Sequence, residues 1–269
     1  MLFVRTYGSA GPPVIVLHGG PGAAGHMAPV ARGLADLSRV IEPFQRASGS
    51  EPLTVARHVA DLHDVITSHA EDCRPALLGA SWGAMLALAY AAAHPDSTGP
   101  LVLVGCGTFE PVARATMEST IAERMNDEIR ARLKQAEQLD PNARLKASAE
   151  ATAPIYSHDP LSFPHADDEV DARAHEETWD DMLRLQREGM YPAAFAAIKV
   201  PVLMVHGTFD PAPGRLIREG LQQYLPQLEY CELDRCGHYP WLERHAADTF
   251  FSLLDDWLPR HMQTDMGRP

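Results

Sequence analysis

Short apolar, β-branched runs recur along the chain, separated by longer helix-favouring stretches. Val14 to Leu17, Leu101 to Val104 and Val202 to Val205 are apolar at every position, the pattern of strands covered by helices on both faces. Arg39 to Ile41, Ala76 to Leu78 and Leu228 to Leu233 read as further strands. Such alternation predicts an α/β fold built on a mostly parallel, doubly wound sheet.

The rhythm changes between Thr108 and Tyr191, where strand runs stop and Ala, Glu and Arg dominate. Helical stretches are expected near Glu110 to Leu139 and Val170 to Glu188, with Pro154, Pro160 and Pro164 breaking the middle. The predicted organisation is a first core part over 1–107, an inserted helical cap over 108–191, a second core part over 192–260 and a flexible tail over 261–269. A chain of 269 residues approaches the upper size for a single core, which suits one main domain with an insertion.

Hydrophobic residues at 45% and charged residues at 22% exclude collagen-like and wholly disordered chains. The formal net charge of -13 repels phosphate backbones and anionic lipid surfaces, so neither nucleic acid nor a membrane is expected as a partner. Cys73, Cys106, Cys231 and Cys236 form no CxxC pair, and no disulfide framework is implied. Only a few apolar residues precede Arg5, too few for a signal-peptide core, so a cytoplasmic location is expected.

The chemistry concentrates in four places. Gly79-Ala80-Ser81-Trp82-Gly83 fits G-x-S-x-G and sits between an apolar strand and an Ala-rich helix ending before Pro95, the setting of a nucleophile elbow. Ser81 is the candidate nucleophile. Asp210 follows the strand at 202–205 and a glycine turn; it reads either as the acid of a catalytic triad or as a turn residue before Pro211. Of the thirteen histidines, His238 in Cys236-Gly237-His238-Tyr239-Pro240 has the context of a base, in a loop after the last strand and before a helix opened by Pro240. Asp234 is a rival acid but stands only four residues before that histidine. His18-Gly19-Gly20-Pro21-Gly22 follows the strand at 14–17, where the backbone amides of Gly20 and Trp82 are placed to form an oxyanion hole. His18 reads as a residue that fixes this loop.

These motifs together resemble the α/β-hydrolase superfamily, specifically its proline iminopeptidase-like branch. The resemblance covers most of residues 13 to 107 and 199 to 258, and HGGPG with a Trp after the nucleophile is its most specific part. Gln45-Arg46 followed by Ser48-Gly49 is similar to the branch's D-Q-R-G block, with Phe44 where its Asp would stand. Ala80 and Ala84 replace the Gly and the Ser or Thr usual around the elbow. The resemblance implies cap glutamates that hold a substrate's free amine. The acidic stretch Asp167-Asp168-Glu169, Asp171, Glu176-Glu177 and Asp180-Asp181 offers candidates, with Glu176 and Glu177 foremost; its other reading is a solvated helix face.

Gly19, Trp179 and Tyr239 complete the expected substrate contacts, with Trp82, Met182 and Leu183 as an apolar lining. Neither a phosphate loop nor a dinucleotide fingerprint is present, and His175-Glu176-Glu177-Thr178-Trp179 lacks the second histidine of a zinc helix. No cofactor and no metal are therefore expected. The sequence predicts a serine hydrolase acting on an ester or amide of a small molecule or short peptide, with a proline iminopeptidase-like aminopeptidase as the leading form. An esterase, lactonase or carbon–carbon bond hydrolase is the alternative within the class, and a non-catalytic binding protein the alternative outside it.

Overall fold

Every residue of β2 (Pro13–Leu17), β4 (Ala76–Ala80), β5 (Leu101–Val104) and β6 (Val202–Gly207) is buried. Two-sided burial requires helices on both faces, and the computed structural model, which describes residues 2–22, 24–70, 73–163 and 170–262, has them. A seven-stranded sheet runs in the order β1 (Val4–Tyr7), β3 (Arg39–Pro43), β2, β4, β5, β6 and β7 (Leu228–Leu233). All neighbours pair in parallel except β1, which runs antiparallel to β3 with Val4 opposite Pro43.

Strand alternation sorts the side chains into two layers. Ile15, Leu17, Leu77, Leu101 and Leu103 pack under α2 (Val55–His69), α3 (Trp82–Ala93) and α8 (Gly214–Gln222). Val14, Val16, Leu78, Val102 and Val104 pack under α1 (Ala28–Leu34) and α9 (Ala247–Met262). Helix α3 is apolar all round and buried from Trp82 to Ala91, as befits a helix in the middle of a layer. Pro95 ends it, with His94 as its C-cap.

Between β5 and β6 the chain forms α4 (Pro111–Arg124), α5 (Asp127–Ala136), α6 (Pro141–Tyr156) and α7 (Ala172–Arg187). Several expectations need correction. Pro154 does not break the insertion but sits in the last turn of α6, where the lost N–H removes only one bond of the helix ladder. Pro164, Asp167, Asp168 and Glu169 lie outside the described residues. Residues 261 and 262, expected in the tail, belong to α9, which continues through Pro259 to Met262, whose side chain is buried in the second layer; residues 263–269 lie outside the description. Pro240 opens only a single 3-10 turn, Pro240–Leu242, and α9 starts at Ala247. Strand β1 was not expected at all. Among the described residues, no helix is long and apolar enough to cross a membrane.

Candidate active site

Ser81 is the single residue between β4 and α3, and its backbone is forced to φ 54° and ψ -119°. A non-glycine residue in that region carries strain on the order of 1–3 kcal/mol, tolerated only where the surroundings fix it. They do so here: the Ser81 amide donates to Val104 O at 2.8 Å. A Cβ on Gly79 would run into the Gly83 carbonyl, and one on Gly83 into the Leu17 carbonyl. The two glycines are thus the room into which the turn folds.

Asp210 lies in the turn after β6, and its side chain is fully shielded from solvent. Its Oδ1 accepts the Ala212 amide at 2.9 Å, and its Oδ2 accepts His238 Nδ1 at 2.6 Å. One oxygen thus closes the turn and the other faces the His238 ring. His206 Nε2, at the end of β6, also faces Oδ2 at 3.2 Å and donates to Ala212 O at 3.1 Å. Burial alone would push the Asp210 carboxyl up; the charges and hydrogen bonds of His238 and His206 outweigh it and hold the group well below the usual carboxylate range. Asp234, the rival acid, has an 85% exposed side chain beside Arg235.

His238 is buried in the loop after β7. Its ring lies against Gly105, the residue following Val104: a Cβ there would fall 2.9 Å from Nδ1 and 3.0 Å from Cε1. The Val104 carbonyl holds the Ser81 amide, so the serine and the imidazole both lie at the carboxyl edge of β4 and β5.

The glycine loop after β2 lies over the elbow, with a Cβ on Gly19 falling 2.9 Å from Ser81 Cβ. The Gly19 amide donates to His26 Nε2 at 3.4 Å. Gly20 adopts φ +43°, and Trp82 opens α3, where a first-turn N–H has no partner in the helix ladder. His18 Nδ1 donates to Gly19 O at 3.1 Å and its Nε2 accepts the Gln45 amide at 3.0 Å. Burial lowers the His18 imidazole to about 3, so it is a neutral fastener.

Gln45 joins this loop to the elbow. Its side-chain amide donates to His18 O at 2.8 Å and accepts the Trp82 indole N–H at 2.7 Å. The following Arg46 forms a two-pronged pair with Asp61, at 2.7 and 2.6 Å. His175 on α7 donates to Pro21 O at 3.0 Å, fixing the loop from the side of the inserted helices.

The expected substrate contacts divide. Trp179 stands edge-on to Trp82 at 6.0 Å, and Tyr239 lies edge-on to His238 at 4.8 Å. Met182 is fully buried in the core layer instead. Glu177, expected to meet a substrate amine, has both oxygens engaged within the chain, accepting the Leu53 amide at 2.8 Å and Arg173 at 2.6 Å. Glu176 is exposed on α7. Asp171 accepts from the Ser48 amide and hydroxyl at 2.7 and 2.8 Å, and Asp181 from the Val55 amide at 2.8 Å. These carboxylates fasten α7 to the segment after β3.

Residues 14–250 match the alpha/beta hydrolase family. The chain belongs to that family. Among its relatives is a proline iminopeptidase of Lactobacillus helveticus, 25% identical over 93% of this chain and 90% of its own length. A 2-hydroxy-6-oxononadienedioate/2-hydroxy-6-oxononatrienedioate hydrolase of Cupriavidus pinatubonensis is 25% identical over 93% of this chain and 88% of that protein. A solved proline iminopeptidase structure from Mycobacterium smegmatis superposes with a TM-score of 0.66 at 20% identity, covering 97% and 95% of the two chains.

In this alpha/beta hydrolase the described residues hold no cluster of three His, Cys, Asp or Glu side chains placed for a metal ion. Sequence reasoning did not single out His206, and took His175 only as the start of an incomplete zinc motif and Gln45 only as part of another motif. The partners of Gln45 and His175 lie far along the chain, 27 residues for Gln45 with His18 and 154 for His175 with Pro21. No local pattern announces such pairs.

Proposed function

We propose that this chain is a serine hydrolase that attacks the carbonyl of an ester or amide. The observation that carries the reading is the 2.6 Å bond from buried His238 to buried Asp210, at the sheet edge where Ser81 is held in a strained turn. Ser81 Oγ bonds to the carbonyl carbon while its proton passes to His238 Nε2. Asp210 holds the ring through Nδ1–H and stabilises the imidazolium. The oxyanion receives the amides of Gly20 and Trp82. His238 then protonates the leaving group as its bond to carbon breaks, and a water molecule, deprotonated by the same imidazole, releases the acyl group from Ser81.

The helices over 108–191 act as a cap that brings Trp179 and Tyr156 to the site, suiting an apolar acyl group of a small molecule. A proline iminopeptidase-like activity is the second reading, favoured by the names of the relatives and the HGGPG loop. The α7 carboxylates do not support it, because Asp171, Glu177 and Asp181 are already bonded to the chain. Steady-state assays decide between them. The ester reading expects turnover of short-chain nitrophenyl esters above that of proline anilide, and a loss of about 10³-fold or more in Ser81→Ala and His238→Ala. Preference for the anilide would transfer the assignment to the aminopeptidase; unchanged turnover in Ser81→Ala would end both.

A further inference from the structure

The serine and its two partners are held by different parts of the molecule. Ser81 is fixed by β4, α3 and Val104, all within the sheet core. The loops carrying Asp210 and His238 instead converge on the last turn of α6 and the segment that leaves it. Ile155 O accepts Arg124 Nη1 at 2.7 Å, and the same nitrogen donates to Phe209 O at 2.6 Å, one residue before Asp210. The Arg124 guanidinium lies 3.7 Å over the Phe209 ring. Tyr156 O accepts the amide of His238 itself at 2.7 Å. Pro154 stands two residues before Tyr156, where the helix ends and these carbonyls are free to accept from elsewhere.

Glu243 closes the arrangement. It is only 1% exposed, and its carboxylate gathers three main-chain amides: Gly237 at 3.0 Å and His158 at 2.8 Å on Oε1, and Asp159 at 2.7 Å on Oε2. Gly237 adjoins the base, whereas His158 and Asp159 belong to the exit of α6. A Cβ on Gly237 would lie 2.6 Å from Glu243 Oε1 and would also run into the Tyr156 carbonyl, so at Gly237 the two segments approach main chain to main chain. Leu161 N donates to Leu242 O at 2.7 Å and Arg244 N to Asp159 O at 3.0 Å, continuing the seam. Burying a carboxylate is costly unless its oxygens are met by donors, and here main-chain amides meet both.

We propose that the exit of α6 is a clamp that sets the base and the acid against the serine, with Glu243 as the positioning residue that locks it. The proposal rests on the triad reading above. It implies that the inserted helices do more than shape a pocket: a movement of α6 relative to the sheet moves His238 relative to Ser81. Loss of the lock should therefore slow acylation more than it weakens binding.

The test is the burst of nitrophenol released when the full chain meets nitrophenyl acetate, resolved into an acylation rate and an apparent dissociation constant. In Glu243→Ala the acylation rate should fall by about 100-fold, the loss that accompanies an ångström-scale misplacement, with the dissociation constant changed by less than about threefold. Glu243→Gln keeps one acceptor oxygen but sets an NH₂ group against an amide donor, so a smaller loss of about tenfold is expected. Circular dichroism establishes that each variant is folded. A folded Glu243→Gln with the wild-type acylation rate would overturn the clamp. Should the wild type give no burst and Ser81→Ala keep the wild-type turnover, the serine reading fails, and amide hydrogen exchange judges the clamp separately. Faster exchange at both 156–159 and 237–239 in Glu243→Gln, with β4 unchanged, supports it; unchanged exchange at those segments overturns it.

Discussion

Strand β4 buries all of its residues and α3 buries Trp82 through Ala91, whereas α4 buries Ala113 alone and α5 only Ile129 and Ala136. The sheet is held by apolar surface removed from water, a force without direction that tolerates no lost volume. The inserted helices bury less and are attached in addition through directed bonds from carboxylates to main chain: Asp171 to Ser48, Glu177 to Leu53, Asp181 to Val55, and Glu243 to His158 and Asp159. Hydrophobic packing fixes where Ser81 stands, and polar fastening fixes what is brought over it. The first arrangement is stiff; the second can be loosened one bond at a time without dissolving the core.

The sharpest way to break the contrast is from the core side. Leu77→Ala, at a position with 0% exposure in β4, should cost about 4 kcal/mol in denaturant unfolding, since the cavity cannot collapse between sheet and helices. A loss below about 1 kcal/mol would show the layer to be less tightly packed than described.

Acid probes the border between the two regions. His58 on α2 is hydrogen-bonded to Thr178 Oγ1 on α7 at 2.9 Å, and burial lowers its imidazole from the ordinary 6.5 to about 4. His18 is lowered from 6.5 to about 3 for the same reason. Both are neutral in the folded chain, so below pH 6.5 the unfolded chain takes up protons that the folded one refuses. The stability they provide is complete above that pH. It falls through the interval down to about 4 for His58 and about 3 for His18. Through these two groups, going from pH 7 to pH 5 should cost about 4 kcal/mol, from about 1.4 kcal/mol per group and per pH unit below 6.5. His58→Gln should remove roughly half of that slope, and a slope unchanged by the substitution would contradict the assignment to His58.

The smallest effect is expected at the polar fastening. Asp171 caps α7 by accepting the Ala174 amide at 2.9 Å and also holds Ser48. Asp171→Ala should cost only about 1–2 kcal/mol of global stability. Hydrogen exchange should nevertheless rise across α7 while α3 remains protected. Equal loss of protection in both helices would mean that the two regions unfold as one unit.

Legibility in the sequence followed the same division. The apolar runs at 14–17, 101–104 and 202–205 announced their strands because two-sided burial leaves no polar position, and the elbow was readable because Gly79 and Gly83 flank Ser81. Strand β1 escaped notice because Val4–Tyr7 is a partly exposed edge strand of mixed polarity, recognisable only by its pairing with β3. The full extent of α6 and α9 was hidden by Pro154 and Pro259, which both helices carry in or near their last turns. Glu177 illustrates the limit most plainly. A carboxylate on an exposed helix face looks the same in sequence whether it awaits a ligand or holds the Leu53 amide 124 residues away.

The central claim is that Ser81 carries the acyl group, activated by His238. Mass spectrometry of the chain after treatment with a fluorophosphonate, followed by digestion, tests it most directly. The account predicts one phosphonate adduct on the peptide containing Ser81, absent in Ser81→Ala and strongly slowed in His238→Ala. An adduct on another residue, or a folded wild type that stays unmodified, would contradict it.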